Sequence, residues 1–224
     1  MFRRKTIIVL IAVFFSLFFT ACWDGYHSSE PIYGSGRIVS ERRTLPECSA
    51  IVIRSACDVY LTQGNEQTIV VEADDNIIDE VITKKEDGNL VVGLDDGSYS
   101  RIKVKVFVTL KSIRKLVIDG AGNISVSRSI NADNLETAIN GAGNITLKGG
   151  GNYLGCIVNG AGNIQADEFI SNKVDAVVNG AGNCTVNVTN ELIASVNGVG
   201  SIYYYGNPSN IKTFIGGVGR VIKK

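Results

Sequence analysis

The second half of the chain carries few side chains that could perform acid–base chemistry. Its carboxylates are sparse, and within residues 120–224 they are Asp133, Glu136, Asp167, Glu168, Asp175 and Glu191. Enzymes that cleave polysaccharides need paired carboxylates, or a carboxylate beside Lys or Arg, on one face of the protein. We interpret these acids as lying at differing offsets in the local sequence pattern, and adjacent strand residues such as Asp167 and Glu168 point to opposite faces. The acids are therefore predicted to form no column, and no catalytic residues are expected among them.

Histidine and cysteine chemistry is equally limited. His27 is the only histidine, and none of the five cysteines forms a Cys-x-x-Cys pair. A Ser-His-Asp triad, a zinc site and a redox motif are therefore not expected, and no metal or cofactor is predicted. Cys48 and Cys57 flank a predicted strand and could form a disulfide in an exported protein.

Three consecutive tyrosines near the end of the chain could bind a ligand. A tyrosine offers a flat apolar ring with a polar tip, which suits stacking on a sugar or on a protein surface. Tyr203 and Tyr205 are the candidate ligand-binding residues. Nucleic acid is not an expected partner, because Lys+Arg and Asp+Glu both number 22 and the chain lacks the positive charge that such binding requires.

The N-terminus has the features of an export signal. A basic stretch at residues 3–5 precedes an apolar run from Ile7 to Phe19, which is shorter than the ~20 residues of a membrane-spanning helix. The run ends in small residues before Cys22, as in a bacterial lipoprotein signal, where the cysteine receives the lipid. The alternative is an ordinary signal peptide cleaved near Ala21.

These features predict a signal peptide at residues 1–21, with Cys22 as the lipid-attachment residue. Residues 22–43 are predicted to form a tether, since Gly, Ser and Pro occur there without periodicity. The protein would then be held on the bacterial cell envelope, at the outer membrane, by an N-terminal lipid anchor.

A repeated glycine motif dominates residues 119–224, which hold 18 of the 25 glycines. The first glycines of the successive motifs fall at positions 120, 141, 160, 180, 198 and 217, with spacings of 21, 19, 20, 18 and 19. Alternating apolar residues flank every motif, as in short strands. Units of ~20 residues that cannot close a core alone indicate a solenoid of stacked rungs.

The predicted fold is all-β, a right-handed parallel β-helix. Glycines would allow positive φ at the corners and close approach between rungs, and the asparagines at 140, 159, 179, 197 and at 123, 144, 163, 183 would stack as amide ladders. Ile145, Ile164 and Cys184 are predicted to form one buried column, and Cys156 and Cys184 to be buried without a disulfide.

One apolar column should face outward, and it contains Val117, Ala138, Ile157, Val177, Ser195 and Phe214. It is either covered, by residues 68–110 or by a second layer of the chain itself, or used for self-association or a partner.

Residues 44–118 are predicted to form a β-rich capping region of one domain, 44–224, whose repeat rungs occupy 119–224. The segment 51–59 matches the rung pattern in degenerate form and is interpreted as an atypical terminal rung. Strands within 68–110 would form an insertion folded over the end or flank of the solenoid, which would protect a sheet edge. Asp74 is a candidate cap for one short helical turn.

Several segments together resemble the head GIN domain family, DUF2807, which is labelled an auto-transporter adhesin. They are Cys48-Ser-Ala-Ile, Ser55-Ala-Cys-Asp-Val-Tyr-Leu-Thr-Gln-Gly64, Val70-Val-Glu-Ala-Asp-Asp-Asn76, Asp87-Gly-Asn-Leu90 and the Gly-Ala-Gly-Asn rungs. The resemblance covers residues 44–222. It implies a right-handed parallel β-helix on a cell-envelope protein, and it brings no catalytic residues.

Three functions fit this sequence. The favoured one is a non-enzymatic envelope lipoprotein, an adhesin or binding module for a glycan or protein partner. The first alternative is a polysaccharide-active β-helix enzyme, and the second is a structural spacer or assembly subunit of the envelope.

Overall fold

The computed structural model describes residues 30–224, and the domain is one compact unit from Pro31 to Lys224. The predicted signal peptide and Cys22 lie outside the described residues. Among the residues that are described, no helix is both long and apolar enough to cross a membrane.

Nearly all regular structure is β-strand, with 63% of residues in strands. The strands in chain order are β1 (Ile32–Tyr33), β2 (Ile38–Arg43), β3 (Ala50–Ile53), β4 (Asp58–Gln63), β5 (Thr68–Asp74), β6 (Val81–Glu86), β7 (Asn89–Leu94), β8 (Tyr99–Ser100), β9 (Val104–Leu110), β10 (Lys115–Ile118), β11 (Asn123–Val126), β12 (Ile130–Asn131), β13 (Asn134–Ile139), β14 (Asn144–Val158), β15 (Asn163–Val178), β16 (Asn183–Val196), β17 (Ser201–Tyr205), β18 (Asn210–Ile215) and β19 (Arg220–Lys223). A single 3-10 turn spans Ile78–Glu80.

The strands form a parallel β-solenoid, which confirms the predicted fold class. Sheet A stacks β7, β3, β10, β13, the second halves of β14, β15 and β16, and then β18. Sheet B stacks β9, β4, β11, the first halves of β14, β15 and β16, and then β17 and β19. From β10 onward, each rung turns from sheet A into sheet B at a glycine motif.

The interior is built from aligned apolar columns. Ile145, Ile164 and Cys184 pair in register and are fully buried, as predicted. Cys156 and Cys184 are buried and free of disulfides. The pKa of the Cys184 thiol is raised, first by its hydrogen bond with Cys156 and then by burial, so the thiol stays protonated and acts as a core side chain.

The corner glycines are required by contact between rungs. A Cβ on Gly160 would meet the carbonyl oxygen of Gly141, and one on Gly180 would meet that of Gly160, well inside the 3.0 Å that real Cβ atoms avoid. The positive φ that we predicted for these corners is wrong, because in the described residues glycine has positive φ only at Gly36, Gly88, Gly149 and Gly206. Close backbone approach alone excludes side chains there.

Both predicted amide ladders are present. In the first, each Asn Nδ2 donates to the Oδ1 of the rung before it, from Asn197 through Asn159 and Asn140 down to Asp119, over 2.6 to 2.9 Å. The second runs from Asn183 through Asn163, Asn144 and Asn123 to Asp58, over 2.7 to 3.2 Å. The amides satisfy one another at the exposed corners, and each ladder ends on an aspartate, which can only accept.

The N-terminal half enters the solenoid out of chain order. The predicted rung at 51–59 exists as β3 and β4, but it is not terminal, because β7 and β9 stack outside it in parallel. Segments 89–94 and 104–110, predicted as insertion strands, therefore form the outermost rung. The antiparallel strands β5 on β9, β2 on β5 and β6 on β7 complete the cap.

Two local predictions in this region are wrong. The last part of the predicted tether belongs to the domain, since β1 pairs with β8 and β2 with β5. Asp74 does not cap the 3-10 turn, whose N-cap is Ile77. The buried Asp74 carboxylate instead accepts the backbone N–H groups of Gly36 and Lys103, each at 2.8 Å.

Cys48 and Cys57 do not form the disulfide that the sequence allowed. Both thiols are free and buried. Cys48 Sγ lies 3.3 Å from the Pro46 carbonyl oxygen, and Cys57 Sγ lies 3.9 Å from that of Ser55. Burial, with a further contribution from Asp58, raises the pKa of Cys57 to about 12, so this thiol is an inert packing group.

Candidate ligand-binding groove

The predicted outward column of apolar residues forms the floor of a groove on sheet A. Val117, Ala138, Ile157 and Val177 pair in register on successive rungs. Val117 is only 7% exposed, whereas Ile157 is 41% exposed. No described residue within 68–110 lines this part of the groove, whose volume is about 310 Å³. The insertion therefore does not cover this part of the column, which leaves an apolar floor open to a ligand.

A charged column runs beside this floor. Lys115, Glu136, Gly155 and Asp175 pair in register on successive rungs of sheet A. The prediction that the acids form no column is therefore wrong for Glu136 and Asp175. Both lie five residues before the first glycine of their motifs, so this alignment was readable from the repeat. Two rungs separate the two backbone positions, about 10 Å at ~4.8 Å per rung.

Tyr153 fills the gap that Gly155 leaves between the two acids. A Cβ on Gly155 would lie 3.2 Å from Tyr153 Oη and 3.5 Å from the ring, so the ring rests over the glycine. The Tyr153 hydroxyl donates to Asp175 Oδ2 at 3.1 Å. Burial, followed by the Asp175 carboxylate, raises the pKa of Tyr153 to about 12. The hydroxyl therefore stays a proton donor at neutral pH, and the bond fixes the ring along the groove.

A second recess of about 510 Å³ continues the groove toward the N-terminal end. It shares Lys115, Glu136 and Tyr153 with the first recess and adds the turn Asp87–Asn89 and Arg114. The guanidinium of Arg114 is fixed by two hydrogen bonds to Ser49 Oγ, at 2.8 and 3.0 Å. Cationic donors and carboxylate acceptors thus line the same groove.

This arrangement suits recognition by hydrogen bonds and by apolar contact together. Lys115 and Arg114 can donate, Glu136 and Asp175 can accept, and the Tyr153 ring adds an aromatic surface above an apolar floor. Across residues 30–224, no group of three or more His, Cys, Asp or Glu could hold a metal ion. The sequence analysis missed Tyr153, although its place two residues before a glycine in the Glu136–Asp175 column could have indicated it.

The tyrosines proposed from the sequence lie on a different face. Tyr203 and Tyr205 are in β17 of sheet B, where they align with Thr185 and Asn187. Tyr205 is 39% exposed, and Lys224 Nζ lies 4.8 Å from the centre of the Tyr203 ring. Neither residue lines the groove on sheet A, so their role in binding stays a prediction that is independent of the groove.

The fold and the repeated glycine corners define the class of protein as a β-solenoid. A comparison with protein families identifies the family within this class. The family described as "Putative auto-transporter adhesin, head GIN domain" matches residues 48–208. The chain belongs to this family. A comparison with curated proteins found no match.

Solved structures share the same fold. An adhesin candidate from Bacteroides fragilis is 23% identical, with a TM-score of 0.71 over 86% of this chain and 100% of that one. A protein from Parabacteroides distasonis described as a putative lipid binding protein is 20% identical, with a TM-score of 0.56 over 87% and 100%. Another putative adhesin from Parabacteroides distasonis is 18% identical, with a TM-score of 0.51 over 87% and 100%. At these identities the likeness concerns the fold.

Proposed function

We propose that the protein is a non-enzymatic adhesin of the bacterial cell envelope that binds a glycan in the groove on sheet A. The observation that carries this proposal is the Tyr153 ring, held over Gly155 by its bond to Asp175 above an open apolar floor. Sugars present both an apolar face and a rim of hydroxyls. An aromatic ring beside paired donors and acceptors complements both features. Membership in a family labelled as adhesins agrees with a binding role.

Substitution of Tyr153 tests the proposal. The full chain would be applied to an array of neutral and uronic-acid polysaccharides, and positive interactions would be measured by calorimetry. We expect Tyr153→Ala to weaken binding at least tenfold, and Tyr153→Phe to weaken it less, since the ring remains. Tyr203→Ala on sheet B is the matched control. Loss of binding in Tyr203→Ala but not in Tyr153→Ala would move the site to sheet B.

A protein ligand and a spacer role make different predictions. If no polysaccharide binds, pull-downs from envelope extracts would be compared between the unaltered chain and Tyr153→Ala. A protein captured only by the unaltered chain would be one whose binding depends on the groove. If the unaltered chain captures neither a polysaccharide nor a protein, the result would support the spacer role, and the groove proposal would fail.

The shared column of Glu136 and Asp175 favours a second candidate, a polysaccharide-active enzyme. Carboxyl groups of inverting glycosidases stand about 6.5–9.5 Å apart, and the backbone positions of Glu136 and Asp175 are two rungs apart, about 10 Å at ~4.8 Å per rung. Release of new reducing ends from the same polysaccharides would support this alternative if Glu136→Gln and Asp175→Asn abolished it. Binding without release would support the adhesin.

The envelope location depends on Cys22. We propose that Cys22 carries a lipid that anchors the domain to the outer membrane. Cys22→Ser should release the protein into the soluble fraction, whereas the unaltered protein should sediment with outer-membrane vesicles. A membrane-bound Cys22→Ser variant would contradict the anchor without affecting the groove proposal.

A further inference from the structure

The C-terminal rung leaves core side chains without cover. Ile211 and Ile215 in β18 continue the inward columns of Leu192 and Val196, which are fully buried one rung earlier. Ile211 is nevertheless 43% exposed and Ile215 is 54% exposed. Phe214, on the outer face of the same strand, is 58% exposed. The end of the solenoid is therefore an apolar strand of the kind that normally packs against something.

The backbone of β18 has one free edge. In residues 30–224, β18 pairs only with β16. The Gly216 N–H donates to the Val196 carbonyl at 2.9 Å, and N–H groups alternate between the two edges of a strand. The N–H groups of Ile211, Thr213 and Ile215 therefore point to the unpaired edge, where they can receive another strand.

Charge at this end selects the partner. No acid follows Glu191, whereas Lys212, Arg220, Lys223 and Lys224 all lie in the last rung. A second copy docked with the same end facing would place like charges against each other, which disfavours that pairing. A segment with acidic side chains would instead neutralise them.

We propose that the free edge of β18 binds an extended acidic segment of a partner protein as an added strand. The segment would place apolar side chains over Ile211 and Ile215 and acidic side chains beside Lys212. Backbone hydrogen bonds supply affinity and the alternating side chains supply specificity in this mode of recognition. The surface is separate from the groove, so the proposal does not depend on the glycan site.

The test uses a fluorescein-labelled peptide of sequence VEVEVEVE and the full chain, with anisotropy as the readout. We expect VEVEVEVE to bind at least tenfold more tightly than VKVKVKVK in 50 mM NaCl, and more weakly in 500 mM NaCl because salt screens the charges. Lys212→Glu should reduce this preference severalfold. Tyr153→Ala should leave peptide binding unchanged, which separates this proposal from the glycan site.

Thr213→Pro is the decisive variant. Proline at this position removes an N–H from the free edge and leaves the bonds to β16 intact, and edge strands tolerate proline in that orientation. An unchanged melting temperature with loss of peptide binding supports the proposal. Equal binding of both peptides, or undiminished binding to Thr213→Pro, overturns it. Sedimentation provides a further check. If the unaltered chain is a dimer and Thr213→Pro is a monomer, the proposal is also overturned, because the occupant of the edge would then be a second copy.

Discussion

The two ends of the solenoid close in different ways. At the N-terminal end, the antiparallel strands β5, β2 and β6 continue the outermost rung. There Asp74 and Asp75 hold the chain that enters the domain. Asp74 accepts two backbone N–H groups, and Asp75 binds Ser35 Oγ and, at 2.8 Å, Arg37 Nε. At the C-terminal end the last rung keeps the pattern of the interior rungs, but the inward side chains of β18 are exposed.

The difference shows that a repeat specifies how rungs stack but not how the stack ends. Each interior rung buries one face of its predecessor, so the same apolar residue is core in the middle and surface at the end. The N-terminal half escapes this limit by antiparallel pairing, which protects an edge against further strand addition. The C-terminal rung lacks that protection in the described residues and remains able to pair.

The largest expected effect compares one inward column at two positions. Ile139 is fully buried, whereas Ile215 in the same column is 54% exposed. Ile139→Ala should lower the free energy of unfolding by about 4 kcal/mol through lost burial and a cavity. Ile215→Ala should cost less than about 1 kcal/mol. Urea unfolding of both variants measures the contrast, and equal losses would mean that the last rung is covered.

The corner contacts give the next effect. Gly160→Ala should destabilise by about 3 kcal/mol, because the new Cβ collides with the Gly141 backbone. Gly216→Ala is the matched control, since a Cβ there meets only Asn197 Oδ1 at 3.4 Å, and it should change stability by less than about 0.5 kcal/mol. A tolerated Gly160→Ala would show that the rungs can separate locally.

Removal of the Asp74 carboxylate should weaken the N-terminal cap. Asp74→Ala leaves the N–H groups of Gly36 and Lys103 without their acceptor, at an expected cost of about 2 kcal/mol. Asp133→Ala, at an exposed acid, is the control. Thermal unfolding gives the size of the loss. Hydrogen exchange should localise it to residues 34–37 and spare β18, and a loss spread evenly over both ends would contradict a local cap.

The smallest effect is the response of the two ends to acid. The Ser35 hydroxyl, followed by Arg37, lowers the pKa of Asp75 below its usual value. Because its folded-state pKa lies below the unfolded value, the Asp75 carboxylate contributes its full stabilisation of the entering segment, residues 35–37, above about pH 4. That contribution is lost as the pH falls through the folded-state pKa. Protection of the amides of residues 35–37 should fall from pH 5 to pH 3, and Asp75→Asn should abolish the change. Protection of β18, which contains no acid, should stay constant.

The sequence alone determined the interior rungs of this protein. The repeated motif and the two-residue alternation around it place Ile145, Ile164 and Cys184 in one column, and they place the corner asparagines in ladders, because parallel strands in register bring equivalent positions together. The same register puts Glu136 and Asp175 in one column. That feature was present in the repeat and was missed.

Only the tertiary structure decided the features that depend on non-local pairing. Segments 89–94 and 104–110 carry no glycine motif, so their place outside β3 and β4 could not be read from a period. The position of the Tyr153 ring over Gly155 depends on side-chain packing and on the hydrogen bond to Asp175 in the next rung. The contrast between the two ends depends on which strands find a partner. Local pattern specifies which face of a strand is apolar, whereas the whole fold decides whether that face is covered.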